Sequence, residues 1–278
     1  MKALFDSVSI RCSRLITRAY STSFSLGIRC LSEELRDPVY AIYGFVRFAD
    51  EIVDSFHGFN KESLLKRFEA ETYKSIEEKI SLNPILNSFQ ETVNRFGIEH
   101  SLIAQFIKSM EMDLTQRAYN TEAFNEYILG SAEVVGLMCL RVFSKGDRQL
   151  YDDLKPHAMR LGAAFQKVNF LRDLKADHIS LGRSYFPDVD LSQFDEKEKK
   201  IIEQNIAEDF DEAFKGIRKL PRSSQFGVYV AYVYYRALFN KIRNAPSSLV
   251  MQQRIRIRNR HKATLLAYSF VKHQLNMI

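Results

Sequence analysis

The chain reads as an all-α protein, a single-domain helical bundle, and three observations carry that reading. Apolar residues recur at helical spacing along nearly all of its 278 residues. Glycine and proline, the usual punctuation of β-rich chains, number only 11 and 6. No Pro/Gly/Ser-rich linker, low-complexity tract or internal repeat divides the chain, so residues 1–278 are taken as one domain. With 46% hydrophobic residues and 21 phenylalanines it can bury a large core.

The elements follow in order. Met1 to Ala19 is basic and amphipathic, with Leu4, Phe5, Val8, Cys12, Leu15, Ile16 and Ala19 on one helical face. Such a segment is either a transit peptide or the first helix of the domain. Ser32 ahead of Glu33 and Glu34 predicts an N-cap with first-turn acids, opening a helix that runs to about Asp54. Gly58-Phe59-Asn60 breaks it, a charged helix follows from Lys61 to about Ser81, and Asn83-Pro84 starts another. Ser101 to Ala118 carries Ile103, Phe106, Ile107, Met110 and Leu114 at helical spacing, with Asp113 one turn past Met110. Helices over Phe124–Phe143, Leu150–Lys175, Glu196–Lys219 and Gln225–Arg243 complete the bundle. The charged run from Asp195 to Lys215 reads as a solvated face.

Composition narrows the setting. Cys12, Cys30 and Cys139 are widely spaced and lack metal-ligand spacing, which suits reduced thiols filling the core of a cytosolic protein. No apolar run in the sequence approaches the length of a transmembrane helix. The net charge of +6 suits a cytoplasmic protein with polyanionic partners and a peripheral place on the inner membrane face. The basic stretch Arg254 to Lys262 has three readings: a nucleic-acid patch, an attraction to anionic membrane, or a wall of the active site that meets diphosphate. No recognition motif accompanies it, so nucleic acid is not expected as a partner.

Two segments carry the chemistry: Arg47-Phe48-Ala49-Asp50-Glu51-Ile52-Val53-Asp54, and Gln166 to Asp177 with Asn169, Arg172, Asp173 and Asp177. Residues four apart on a helix differ by about 40° in direction and about 6 Å along the axis, so each Asp pair points one way. Four facing carboxylates repel unless a cation sits between them, and a hard oxygen-seeking ion such as Mg²⁺ answers that need. Tyr43, Arg47, Asp50 and Asp54 share one stripe, beside Val39, Ile42, Val46 and Val53; Gln166, Asn169, Asp173 and Asp177 share another, flanked by Phe165, Phe170 and Leu171. Arg172 points about 100° away from Asp173, so it can reach an anion at the rim and need not pair with that carboxylate. The reading is an enzyme that activates diphosphates.

With these motifs the chain resembles the squalene/phytoene synthase family of head-to-head prenyl transferases, and among its members bacterial phytoene synthases most. Tyr20-Ser21-Thr22-Ser23-Phe24 matches the family's Y-S-x-S-F opening, Tyr43 to Asp54 its first aspartate-rich motif, and Tyr127 to Gly136 its Y-x8-G segment. Leu161 to Asp177 matches the second motif, and Gly182-Arg183-Ser184-Tyr185-Phe186-Pro187 the G-R-x-Y-x-P element. The opening motif begins at Tyr20, so Met1–Ala19 is better read as the domain's first helix than as a transit peptide. Glu51 replaces a common second Asp, and Glu133 a common Gly that would put its side chain on the cavity face.

The resemblance implies an isoprenoid-synthase helical bundle around a central cavity. It implies phytoene synthase activity, the first committed step of carotenoid biosynthesis, in which two geranylgeranyl diphosphates join through prephytoene diphosphate. Dehydrosqualene or squalene synthesis from two farnesyl diphosphates, and a non-catalytic assembly factor of the same fold, are the alternatives. It implies two or three Mg²⁺ ions, with Mn²⁺ a substitute, on Asp50, Asp54, Asn169, Asp173 and Asp177, and no NADPH. Asp50, Asp54, Asp173, Asp177, Arg47 and Tyr43 carry catalysis. Tyr20, Ser21, Ser23, Tyr43, Arg47, Gln166, Asn169, Arg172, Arg183, Tyr235 and Arg254 bind substrate. Phe24, Tyr43 and Phe165 line the cavity, and Asp113 either faces it too or is a surface carboxylate near a helix end.

Overall fold

The structure, a computed structural model, describes residues 1–116, 118–176, 185–187, 189 and 194–275, and every regular element among them is helical. The first helix, α1 (Lys2–Tyr20), is as expected, but the side it turns inward is not. Ser9, Ser13 and Thr17 are fully buried, while Leu4 and Leu15 are 64% and 69% exposed. The serines and threonine can go inside because each hydroxyl is bonded: Ser9 Oγ donates to the Phe5 carbonyl at 3.0 Å, Thr17 Oγ1 to that of Ser13 at 2.8 Å, and Ser13 pairs with Ser88 at 2.8 Å. Their small size also admits a close neighbour, since a Cβ added at Gly44 would lie 2.8 Å from Ser13 Oγ.

Ser21 caps α2 (Thr22–Arg29) by accepting from the Phe24 N–H at 3.2 Å. The first aspartate stripe rides on α3 (Glu33–Asp54), which ends where the sequence placed it. Ser32 is the N-cap residue, yet its side chain makes no cap bond; its backbone N–H donates instead to the Ser223 carbonyl at 2.8 Å. Asn60 caps α4 (Lys61–Glu78), which stops at Lys79 in the left-handed region, three residues short of the expected end. Asn83 caps α5 (Pro84–Phe96), and α6 (His100–Thr115) follows.

The expected Phe124–Phe143 helix is three pieces: α7 (Thr121–Ile128), a π-helical turn (Leu129–Glu133) and α8 (Val134–Ser144). The turn sits where Gly130 presses against α6, with room for no Cβ: one would lie 2.5 Å from the Gln105 carbonyl oxygen. Thr121–Ser144 is also long and apolar enough to cross a membrane, which the sequence reading had excluded for any run; 61% of its most apolar window is buried inside the protein.

The second stripe lies on α9 (Arg148–Ala176), which packs along α10 (Glu196–Ile217). Then come α11 (Arg222–Arg243), the short α12 (Ser247–Val250) and α13 (Asn259–Gln274). The charged run on α10 is in large part the solvated face expected of it, with Lys197, Lys200, Glu208, Asp211 and Lys215 exposed, but Lys199, Glu203 and Asp209 turn inward. Asp209 is buried and accepts from Lys167 Nζ at 2.6 Å and Arg160 at 2.9 Å; Lys167 also donates to Asn205, and buried Lys199 pairs with Glu203 at 2.6 Å. Buried charges persist only when paired in this way.

Two apolar clusters form the interior. One is built on α3 to α6 and α8 around the stacked rings of Phe45 and Phe89, 3.9 Å apart; the other on α7 and α9 to α11 around Phe170 and Tyr185, also 3.9 Å apart. The cavity described next is walled by residues of both.

Candidate active site

A cavity of about 460 Å³ runs between α2, α3, α8, α9, α10 and α11. One face of α3 lines it with Val39, Ile42, Tyr43, Val46, Arg47 and Asp50, so apolar side chains lie deep and charged ones at the mouth. On α9 the order is the same, from Leu154 through Ala158, Leu161 and Phe165 to Gln166, Asn169 and Arg172. Leu154 and Asn169 are fifteen positions apart, which at about 1.5 Å per residue makes this face of the cavity roughly 22 Å long from its amide end to its apolar end. Tyr20, Ser21, Tyr235 and Arg254 close the mouth.

The mouth is strongly charged. Asp50 is enclosed by the cavity mouth yet keeps 39% of its side-chain surface open. That enclosure, then the nearby Asp54, raises its pKa to about 7 against the partial relief given by Arg47, 3.5 Å away. Arg47 is bound more closely by Glu51, at 2.6 Å, and its guanidinium carbon lies 4.2 Å from the centre of the Tyr20 ring. Its buried Nε has no hydrogen-bond partner, leaving a donor to offer an anion. Glu51 thus serves the site through Arg47.

Asp173 is held from two sides. Arg172 donates to it at 3.0 and 2.5 Å and Arg254 at 2.8 and 3.2 Å. The Arg172–Asp173 pair is one that the helix spacing did not require: Cα–Cβ directions differ by about 100°, and the long flexible side chain curls back across that angle. Arg254 thus lies beside the second aspartate stripe and lines the cavity. Tyr235 donates to Asn169 Oδ1 at 3.3 Å, and Asn169 in turn to Gln166 at 3.4 Å, so the amide stripe is oriented from α11.

Below the mouth the wall is aromatic. Phe24 lies 5.8 Å from Tyr43, 5.9 Å from Phe165 and 5.5 Å from Tyr235, while Phe165 and Tyr235 stack at 4.0 Å. Burial pushes the Tyr43 hydroxyl up to about 12, so it stays protonated. Phe24, Tyr43 and Phe165 all line the cavity, as the sequence suggested.

Other expectations fare differently. Ser23 is not among the lining residues, whereas Ser21 is. Asp54 and Asp173 stand outside the enclosed space, at its rim. Asp113 does not line the cavity: it is buried, accepting from Tyr127 at 2.7 Å and Tyr185 at 3.3 Å. Glu133 also turns away, toward Arg160, Lys167 and Asp209, because the π-helical turn presents Ala132 instead. Asp177 and Arg183 lie outside the described residues. The walls from α8 and α10, including Cys139, Leu140, Ala213 and Gly216, were missed. Their signal was the small residues Ala158, Gly162, Ala213 and Gly216 at helical spacing, which let helices approach around a void.

Among the described residues no three His, Cys, Asp or Glu side chains converge into a ready metal cage. The oxygen donors at the mouth, Asp50 with its neighbour Asp54 and the Asn169 amide, are the ligand chemistry of a hard divalent ion. The residues present fit Mg²⁺.

An all-α bundle with an acid-lipped, apolar cavity is the isoprenoid-synthase type of fold. A crystal structure of a dehydrosqualene synthase in complex with ligand superposes on it with a TM-score of 0.84, covering 98% of each chain at 20% identity. A family model described as squalene/phytoene synthase matches residues 17–261, and the chain belongs to that family. It is 28% identical over 263 residues to the phytoene synthase of Arthrospira platensis, covering 85% of this chain and 84% of that one. It is 27% identical over 254 residues to the chloroplastic phytoene synthase 1 of Solanum lycopersicum, of whose length it spans 60%.

Proposed function

We propose that this chain is a Mg²⁺-dependent phytoene synthase, joining two geranylgeranyl diphosphates head to head through prephytoene diphosphate. The observation that carries the reading is the length of the cavity along α9, from the amides at its mouth to its apolar far end. An isoprene unit advances a prenyl chain by four C–C bonds of about 1.5 Å, or about 5 Å per unit along the zigzag. A C20 chain is therefore roughly 20 Å long and a C15 chain roughly 15 Å, on the same bond length. The wall from Asn169 to Leu154 matches the longer chain, with each diphosphate left at the mouth.

Mg²⁺ held by Asp50, Asp54, Asn169, Asp173 and Asp177 would neutralise diphosphate and make it a good leaving group. Arg47, Arg172 and Arg254 add forked donors for the phosphate oxygens, Arg47 through an Nε that has no other partner. Once the C–O bond of the first substrate ionises, its allylic cation lies against Phe24, Tyr43, Phe165 and Tyr235, whose ring faces favour positive charge. The double bond of the second substrate attacks it and, with loss of a proton, gives a cyclopropylcarbinyl diphosphate; a second ionisation, rearrangement and loss of a second proton lead to the linear hydrocarbon. Tyr43, with its pKa at about 12, does not become a competing phenolate. The apolar walls exclude the water that would quench either cation.

The test is a product assay with purified protein, Mg²⁺ and geranylgeranyl or farnesyl diphosphate, with and without NADPH. A C40 hydrocarbon made without NADPH supports the proposal. A C30 product from farnesyl diphosphate alone moves the activity to dehydrosqualene or squalene synthesis. Folded protein inert with both substrates would leave an assembly role.

A further inference from the structure

Helix α1 is amphipathic in the opposite sense from a packed helix. At about 100° per residue, Leu4, Val8 and Leu15 fall within about 40° of one another, and Ser13 is diametrically opposite. Ser13 faces the protein, fully buried, so the leucine and valine stripe faces out, at 64%, 40% and 69% exposure. Arg11 and Arg18 lie within about 40° of Leu4 on the same face, and both are exposed. Arg18 and Arg29 also line one open depression, with Thr22, Ser25 and Leu26, where α1 gives way to α2. The last residue of α1, Tyr20, is half-exposed and lines the cavity mouth.

An apolar stripe of this length beside arginines is what an interfacial helix presents to lipid. A second copy of the chain fits the face poorly. The exposed side of α1 from Ser7 to Ala19 holds no acid, so a two-fold contact would set arginines against arginines. We propose that α1 docks the protein on an anionic phospholipid surface, with Leu4, Val8 and Leu15 at the acyl boundary and Arg11, Arg18 and Arg29 on headgroup phosphates. This rests on the proposed function only in that an apolar product needs an exit. The cavity mouth, reached through Tyr20, then opens at the membrane, and a hydrocarbon leaves without crossing water.

The experiment is flotation of the purified full chain with vesicles of phosphatidylcholine and phosphatidylglycerol in equal parts, and with phosphatidylcholine alone. The wild type should float with the anionic vesicles and lose binding as salt rises. Arg11→Gln with Arg18→Gln should weaken binding about 30-fold, from about 1 kcal/mol per basic residue at such a surface. Leu4→Ser with Leu15→Ser should weaken it at least tenfold. Circular dichroism and melting should not change, since these side chains point outward. Flotation of either pair like the wild type, or wild-type protein that stays unbound, overturns the proposal. So does a dimer in light scattering that the leucine pair dissolves, because the stripe would then join two copies. Flotation reads no turnover, so its failure and failure of the C20 reading are separate results.

Discussion

Replacing Asp50 with asparagine should stabilise the metal-free protein at pH 8 while ending turnover. In the folded chain the Asp50 pKa is raised from 3.8 to about 7, first by enclosure in the cavity and then by Asp54. A carboxyl whose pKa rises on folding holds its proton more tightly folded than unfolded. Its contribution therefore makes stability fall as pH rises from about 4 to about 7, and level off above that. A shift of that size would be about 4 kcal/mol for a fully enclosed group. With 39% of the side chain open, solvent screening reduces the figure to about 1–2 kcal/mol. Asparagine keeps the shape and loses the charge, and Arg47 retains its 2.6 Å partner Glu51. Urea unfolding in EDTA should show Asp50→Asn more stable than wild type by that margin at pH 8 and equal to it near pH 4. Saturating Mg²⁺ should narrow the pH 8 gap by stabilising only the wild type. A variant less stable than wild type at pH 8 without metal, or a gap independent of pH, would refute the electrostatic account of the mouth.

Three further outcomes are expected. Gly162→Ala should cost about 1–3 kcal/mol in thermal unfolding, because its Cβ would lie 2.5 Å from the Ala132 carbonyl oxygen and backbone cannot yield as a side chain does. Lys167→Met leaves buried Asp209 with only the half-exposed Arg160, so denaturant titration should show a loss of about 3 kcal/mol, largely recovered by adding Asp209→Leu. Leu154→Trp fills the far end of the cavity; turnover of the C20 diphosphate should fall more than tenfold while C15 turnover is kept. Equal loss of both substrates in a folded variant would argue against that wall as the measure of chain length.

The parts legible in the sequence are those where one helix carries its own information. On α3 and α9 the same 3.6-residue period orders apolar and polar side chains, so Tyr43, Arg47, Asp50, Gln166 and Asn169 could be placed on a shared face without a partner helix in view. The stop at Asp54 and the start at Asn83-Pro84 are equally local. What was not legible depends on a neighbour. Whether Ser13 or Leu15 of α1 faces inward is decided by the Gly44 surface it meets. Lys167 and Asp209 read as ordinary surface charges until α9 and α10 are laid together. Which anion Arg172 takes was equally open, because a guanidinium at the end of a flexible stem can reach one away from where its Cβ points. The direction of Glu133 depends on the π-helical turn, which no local residue pattern announces.

That turn has a consequence for how this stretch of chain can change length. Leu129–Glu133 accommodates one residue more than an α-helix would use over the same span. Deleting Ser131 would let α7 and α8 fuse into an unbroken helix, rotating one half against the other by about 100°. With α8 kept in place by its cavity face, Tyr127 would swing away from Asp113, and Tyr185 would lose the companion that shares that carboxylate. A one-residue deletion here would act like a frame shift in three dimensions: each residue keeps its identity while half of them change neighbours.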